Sequence, residues 1–194
     1  LITATRKPHA DGFIVLSGLA GLAVAVSLRV QVAGVDGSKS VRGGLVFGIT
    51  LCLLALCMGF TRPSLGRSAL GFGLAGAAVL CLPPILHKLI TASGLPSAPT
   101  VGWVSVVSLV AVAEELLLRG ALYERLQRWR GQTSAIVITA LAFALLHVPV
   151  YGWHVVVLDL AVGVWLGVLR AVAGSVTAPA LAHALADLAG WWLQ

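Results

Sequence analysis

The chain has 194 residues, 59% of them hydrophobic and only 10% charged, with a mean hydropathy of +0.99. A soluble domain averages about 25% charged residues, so this composition excludes one and sizes the chain for a single polytopic membrane bundle. The formal charge of +6 does not indicate nucleic-acid binding, because the basic residues fall in short clusters between apolar segments, as the positive-inside rule describes.

A transmembrane helix needs roughly 20 predominantly apolar residues. Leu1 to Gly12 reads as a polar lead carrying Arg6 and Lys7. The sequence opens on Leu1 and not Met, which leaves an N-terminal truncation open, and nothing there resembles a cleavable signal with a small-residue cleavage site. The first span is expected from Phe13 to about Val35, with Arg29 snorkelling to the interface near its far end. Asp36 to Arg42 is a turn. A second uncharged span runs from Gly43 to Thr61, closed by Arg62-Pro63, and a third from Ser68 to His87, which Pro83-Pro84 should kink or end. Cys52, Cys57 and Cys81 lack paired spacing and read as small buried hydrophobes, with no disulfide or zinc framework. Thr91 to Thr100 is the clearest loop. Residues 1–100 carry almost no polar chemistry, so their three helices are expected to wall a site built by residues 101–194.

The fourth span, Val101 to Trp129, holds Glu114-Glu115 and Arg119 inside an apolar helix and leaves through an amphipathic, basic segment suited to the interface. A charge at that depth costs about 2.5–3.5 kcal/mol on insertion scales, so such residues mark functional sites by default. Glu115 and Arg119 stand four apart on one face, which suits an ion pair. Glu114 lies about 100° further round and has no partner within the helix. A carboxylate buried without a partner suits a general base near neutral pH. Glu114 is therefore read as chemistry and the Glu115–Arg119 pair as scaffold. The alternative is that both glutamates only tie neighbouring helices together.

A fifth span, about Thr133 to Val148, ends in Phe143-x-x-x-His147, where His147 could also be a helix-end histidine bonding a carbonyl. The sixth, about Trp153 to Val172, carries Gly163 and Gly167 as a small-residue packing face. His154 is read as interfacial and Asp159 as a helix-packing polar group, with contact to the site as its alternative. The seventh, about Val176 to Trp192, carries His183 and Asp187 one turn apart, where they could satisfy each other as a pair. Seven spans with the N-terminus inside put Arg6, Lys7, Arg62, Arg67, Arg125, Arg128, Arg130 and Arg170 on the cytoplasmic side. Only Lys39, Arg42 and Lys88 then fall outside.

At about 1.5 Å per residue, Glu114 lies ~22 Å from the cytoplasmic exit, His147 ~21 Å, His183 ~10 Å and Asp187 ~16 Å, so the four can meet in one intramembrane cavity. A glutamate, two histidines and an acid suit activation of water. Either Glu114 with His147 deprotonates it, or the set holds a divalent ion that does so. His183 and Asp187 could then hold an oxyanion.

Glu114-Glu115-x-x-x-Arg119, then Phe143-x-x-x-His147, then His183-x-x-x-Asp187 resembles the CPBP family of intramembrane proteases. That family includes type II CAAX prenyl endopeptidases and bacteriocin-processing or immunity-associated membrane proteins. The resemblance covers about Val101 to Leu193. It implies an all-α, polytopic bundle of about seven spans, with an active site inside the membrane formed by the last four helices. It also implies an endopeptidase acting on membrane-associated substrates, prenylated CAAX-type or leader-bearing. Glu114, His147, His183 and Asp187 are the catalytic candidates, supported by Glu115, Arg119 and Phe143. The last motif position is often Asn in the family, and an ionised Asp187 would repel an oxyanion, so it would act protonated or through His183. The resemblance leaves the cofactor open between none and one divalent metal such as zinc, with Glu114, His147, His183 and Asp187 as candidate ligands. The expected partners are the lipid bilayer and a peptide or lipidated protein, and the expected location is the cell membrane with a cytoplasmic N-terminus. Competing readings are a non-catalytic immunity or scaffold protein of the same fold, and a small transporter. A transporter would usually show repeats or paired broken helices, which this chain lacks.

Overall fold

The computed structural model describes residues 8–60, 63–91, 94 and 96–193. Arg6, Lys7, Arg62 and Gln194, which enter the orientation argument, lie outside them. Among the described residues the chain is all helix. Its segments are α1 (Pro8–Ala33), α2 (Val41–Cys57), α3 (Arg67–Thr91), α4 (Val101–Glu115), α5 (Tyr123–Arg130), α6 (Gln132–Tyr151), α7 (Val156–Ala173) and α8 (Thr177–Leu193). A π-helical turn, Leu116–Leu122, joins α4 to α5, so these form one rod and the bundle has seven. Five rods are long and apolar enough to cross a membrane. α2 and α8, at 17 residues each, sit at the short end of the spanning range. Phe13, Leu53, Leu74 and Leu158 point outward from the bundle, as lipid-facing side chains do. The protein is a multi-pass membrane protein.

Local chemistry sets the breaks. Ser40 caps α2 by accepting from Gly43 N–H at 3.1 Å, and Thr100 caps α4 by accepting from Trp103 N–H at 3.2 Å. Gly131 takes φ +85° in the one-residue turn between α5 and α6, a conformation costly for any residue with a Cβ. The structure also moves some boundaries. α1 begins before Phe13, which makes Asp11 helical and buried, where a polar lead was expected. α3 runs through Pro83-Pro84 to Thr91, so the prolines do not end it. The cysteines are free, but Cys57 is exposed and Cys52 and Cys81 only half-buried. They are not core residues.

One end of the bundle is fastened by charge. Arg125 donates to Asp11 at 2.9 Å and to the Met58 carbonyl at 2.7 Å, and Arg128 reaches Asp11 at 3.4 Å. These contacts join the start of α1, the end of α2 and α5. The segment expected to lie free at the interface is therefore partly buried. Elsewhere α2 lies against α4 and α3 against α8, so the first three helices pack directly on the last four.

α6 and α7 approach most closely at the two glycines singled out in the sequence. A Cβ at Gly163 would stand 3.0 Å from Ala140 Cα, and one at Gly167 would stand 3.1 Å from Ile136 Cγ2. Backbone cannot yield as a flexible side chain does. Gly163→Val should therefore lower stability by about 1–3 kcal/mol, the usual cost of overpacking. Gly71→Val is the control, because a Cβ there meets nothing within 4 Å. Thermal unfolding of both variants in detergent checks this, with the Gly163 variant expected to melt well below the Gly71 one.

Candidate active site

Glu114 and Glu115 occupy the last turn of α4, both almost wholly buried. The helix does not continue regularly to Trp129 as expected. In the π turn, Tyr123 N–H reaches the carbonyls of Gly120 and Leu118 instead of that of Arg119, its partner in a regular helix. The Arg119 carbonyl is thereby freed, and it accepts from Arg170 Nε at 3.0 Å. Arg170 also donates to Glu124 at 3.2 Å, which fixes α7 against the widened turn.

The expected Glu115–Arg119 pair is present at 2.8 Å, with both side chains fully buried. Arg119 donates a second bond to the Gly163 carbonyl at 2.9 Å, and its guanidinium lies 4.8 Å over the Phe143 ring. The same oxygen of Glu115 that takes Arg119 also accepts from His183 Nδ1 at 3.0 Å. That contact crosses from α4 to α8 and was not anticipated, since sequence spacing had joined His183 to Asp187 alone. Glu115 thus ties α4 to α8, and Arg119 extends the tie to α7 and α6.

His183 presents its other nitrogen to two acids. Nε2 stands 3.5 Å from Asp187 Oδ2 and 3.9 Å from Glu114 Oε2. Glu114 Oε1 has no hydrogen-bond partner among the described residues. His147 holds its ring by Nδ1, 2.9 Å from the Phe143 carbonyl. A carbonyl only accepts, so Nδ1 carries the hydrogen and a neutral ring keeps its lone pair on Nε2. The helix-end bond considered for His147 therefore exists, and it orients the ring. Phe143 packs edge-on to both histidines, with centroids 4.8 Å from His147 and 5.3 Å from His183.

Glu114, His147 and Asp187 line a cavity of about 910 Å³. His183 is buried at its wall. The cavity opens at the end of the bundle formed by the α1–α2 and α3–α4 connections. There Trp103 and Trp191 stack at 4.7 Å, and Trp191 donates to the Ser97 carbonyl at 2.7 Å. Two residues depart from their expected places. Asp159 is not a packing group but lines the cavity, with Oδ2 3.6 Å from His147 Nδ1. Arg29 does not snorkel outward: it is 8% exposed and turned into the cavity against the Phe47 ring. Asp159 could be suspected as one more acid in the last four helices. Nothing in the sequence signals the inward turn of Arg29.

The donor set was tested against a divalent ion. Among the described residues no three His, Cys, Asp or Glu side chains gather as a metal site. Each histidine commits Nδ1, to Glu115 or to the Phe143 carbonyl, and keeps Nε2 for a further partner, as metal-bound histidines also do. Zinc needs several ligands at about 2.0–2.2 Å, and the described side chains do not converge on one point at that distance, so no step below runs through a metal.

Residues 96–189 match the family described as Type II CAAX prenyl endopeptidase Rce1-like. No curated protein and no solved structure matches the chain. The matched segment takes in every candidate site residue named from the motifs.

Glu115→Gln should leave Arg119 as a buried cation without its carboxylate and weaken the hold on His183. Removing one partner of a buried pair typically costs about 3–5 kcal/mol. The expected outcome is a large drop in melting temperature in detergent. A fully stable Glu115→Gln protein would show that the junction does not hold the bundle.

Proposed function

We propose that this protein is an endopeptidase whose water nucleophile is activated by Glu114, a reading that the match of residues 96–189 to the Type II CAAX prenyl endopeptidase Rce1-like family supports. The observation that carries the reading is the contrast between adjacent glutamates. Glu115 is engaged through one oxygen by Arg119 and His183 and does not line the cavity, whereas Glu114 lines it and has His183 Nε2 no nearer than 3.9 Å; among the described residues each keeps one oxygen without a hydrogen-bond partner.

In this reading a water binds between Glu114 and the Nε2 lone pair of His147. Glu114 takes one proton, and the hydroxide adds to the carbonyl carbon of the scissile peptide bond. The oxyanion accepts from Nε2–H of His183, which Glu115 orients from the opposite side of the ring. Collapse breaks the C–N bond, and the amine leaves with the proton held on Glu114. Asp187 acts through His183, fixing its Nε2 edge, since an ionised carboxylate in direct contact would repel the oxyanion. The substrates proposed are membrane-associated peptides, prenylated or leader-bearing.

Glu114→Gln should reduce turnover of membrane peptides by about 10²–10⁴-fold, the usual contribution of a general base, with an unchanged melting temperature. In the same assay Asp187→Asn should keep substantial activity, because an amide still bonds His183. Stoichiometric metal in the wild type, lost together with activity in Asp187→Asn, would instead make Asp187 a ligand.

Orientation decides which compartment supplies substrate. The basic residues favour a cytoplasmic N-terminus, which puts the α5 end inside and the cavity mouth on the opposite face. Cysteine labelling in a background lacking Cys52, Cys57 and Cys81 reads this directly, with position 128 expected to react only from the cytoplasmic side. Labelling from the other side would put the mouth in the cytoplasm and point to lipidated cytoplasmic substrates.

A further inference from the structure

The cavity is electrically divided. Its acids, Glu114, Asp159 and Asp187, all come from α4, α7 and α8. Its bases, Arg29 and Lys39, come from α1 and the turn that follows it, outside the segment that the family match covers. Lys39 sits at the mouth, whereas Arg29 lies inside the bundle on α1.

Arg29 is held as a recognition group is held. Its guanidinium packs 4.8 Å from the centroid of the fully buried Phe47 ring and faces the Tyr151 phenol. Stacking on a ring leaves the edge of the planar N–H fork exposed to partners, and beyond the part that meets the Tyr151 hydroxyl that edge has the geometry that receives a carboxylate. Among the described residues Arg29 forms no ion pair with any acid, although it lies near enough to act electrostatically on Glu114. The other deeply buried arginines, Arg119 and Arg125, each have a carboxylate partner. A buried cation in a membrane bundle normally has an anion within reach.

We infer that Arg29 is a specificity-determining residue that binds a carboxylate of the peptide substrate inside the cavity. The inference rests on the endopeptidase reading, because the anion and the scissile bond would then belong to one molecule, the first at Arg29 and the second at Glu114. A lipid phosphate fits less well, since Arg29 faces the interior cavity and not the outer surface of the bundle. The carboxylate has two sources, the C-terminus of the peptide or an Asp or Glu side chain within it.

The test is binding, read by fluorescence polarisation on purified protein in detergent. Three sets of fluorescein-labelled hexapeptides with apolar C-terminal residues serve as probes: free acids, C-terminal amides, and amides carrying one internal Asp or Glu. Free acids, acid-bearing amides, or both should bind wild type on the order of tenfold more tightly than plain amides, as a charged hydrogen-bonded pair requires. Which set gains identifies the source. The contrast should collapse in Arg29→Gln, persist in part in Arg29→Lys and remain in Lys39→Gln. The wild-type comparison stands even where a variant fails to fold. Equal binding of all three sets, a contrast that survives Arg29→Gln, or no binding at all would overturn the inference. So would Arg29-dependent competition by phosphatidylglycerol with no preference among peptides, which would give the cation to a lipid. Cleavage of the same peptides separates the two readings. Equal, Glu114-dependent cutting of acids and plain amides would retain the endopeptidase and remove the role of Arg29. Acid-selective binding without Glu114-dependent cutting would do the reverse.

Discussion

One oxygen of Glu115 organises the polar interior. It accepts from Arg119 at 2.8 Å and from His183 at 3.0 Å, inside a bundle whose remaining core is aliphatic. Water is absent from such an interior, so each charged group must find its partner within the protein. Arg119 extends the junction to the Gly163 carbonyl and to the Phe143 ring. Four helices, α4, α6, α7 and α8, thereby take their mutual positions from one carboxylate and its arginine. Glu114, the preceding residue, inherits a fixed aim into the cavity without holding the bundle together.

The π turn extends this order toward the opposite end. A regular helix would have spent the Arg119 carbonyl on Tyr123 N–H, and the widened turn offers it to Arg170 instead. Arg170 packs over Tyr123 and bonds Glu124, so α7 is joined to α5 by the same irregularity. Beyond it, Asp11 gathers Arg125 and Arg128 and fastens α1. The bundle is thus closed by charge at one end and open to a cavity at the other. On the proposed reading, that asymmetry suits a site which admits a peptide and keeps bulk solvent away from Glu114.

How much of this could be read beforehand depends on whether a contact is local in sequence. Glu115 and Arg119 pair because helix geometry brings residues four apart together, and the spacing alone announces it. The alternation of long apolar segments likewise discloses a helical membrane bundle, and Gly163 with Gly167 discloses the close face of α7. The bond from His183 to Glu115 is invisible in that sense, because it depends on how two distant helices are rotated about their axes. Local spacing offered Asp187 as the partner, and in the structure Asp187 is the more distant of the two. Arg29 shows the same limit more plainly. Its position near a helix end suggests a side chain reaching for the interface, and only the placement of Phe47 on α2 turns it inward. Asp159 fails for a related reason, since a face assignment on α7 requires knowing where α6 lies. The π turn has no sequence signature that separates it from the helix on either side.

The shortest membrane segment inside the chain, α2, flanks the open end of the cavity, with Val41 at its start. Seventeen residues span about 25 Å, against a hydrocarbon core of about 30 Å. A bilayer meets such a mismatch by thinning locally around the short segment. Thinning beside α2 would bring the headgroup layer, and bulk water with it, closer to Glu114 on that side. A hydrolase consumes one water per cycle, and one working inside lipid must import it. On the proposed reading, helix length would then be a means of hydration, from the side where the acids and bases of the cavity face each other.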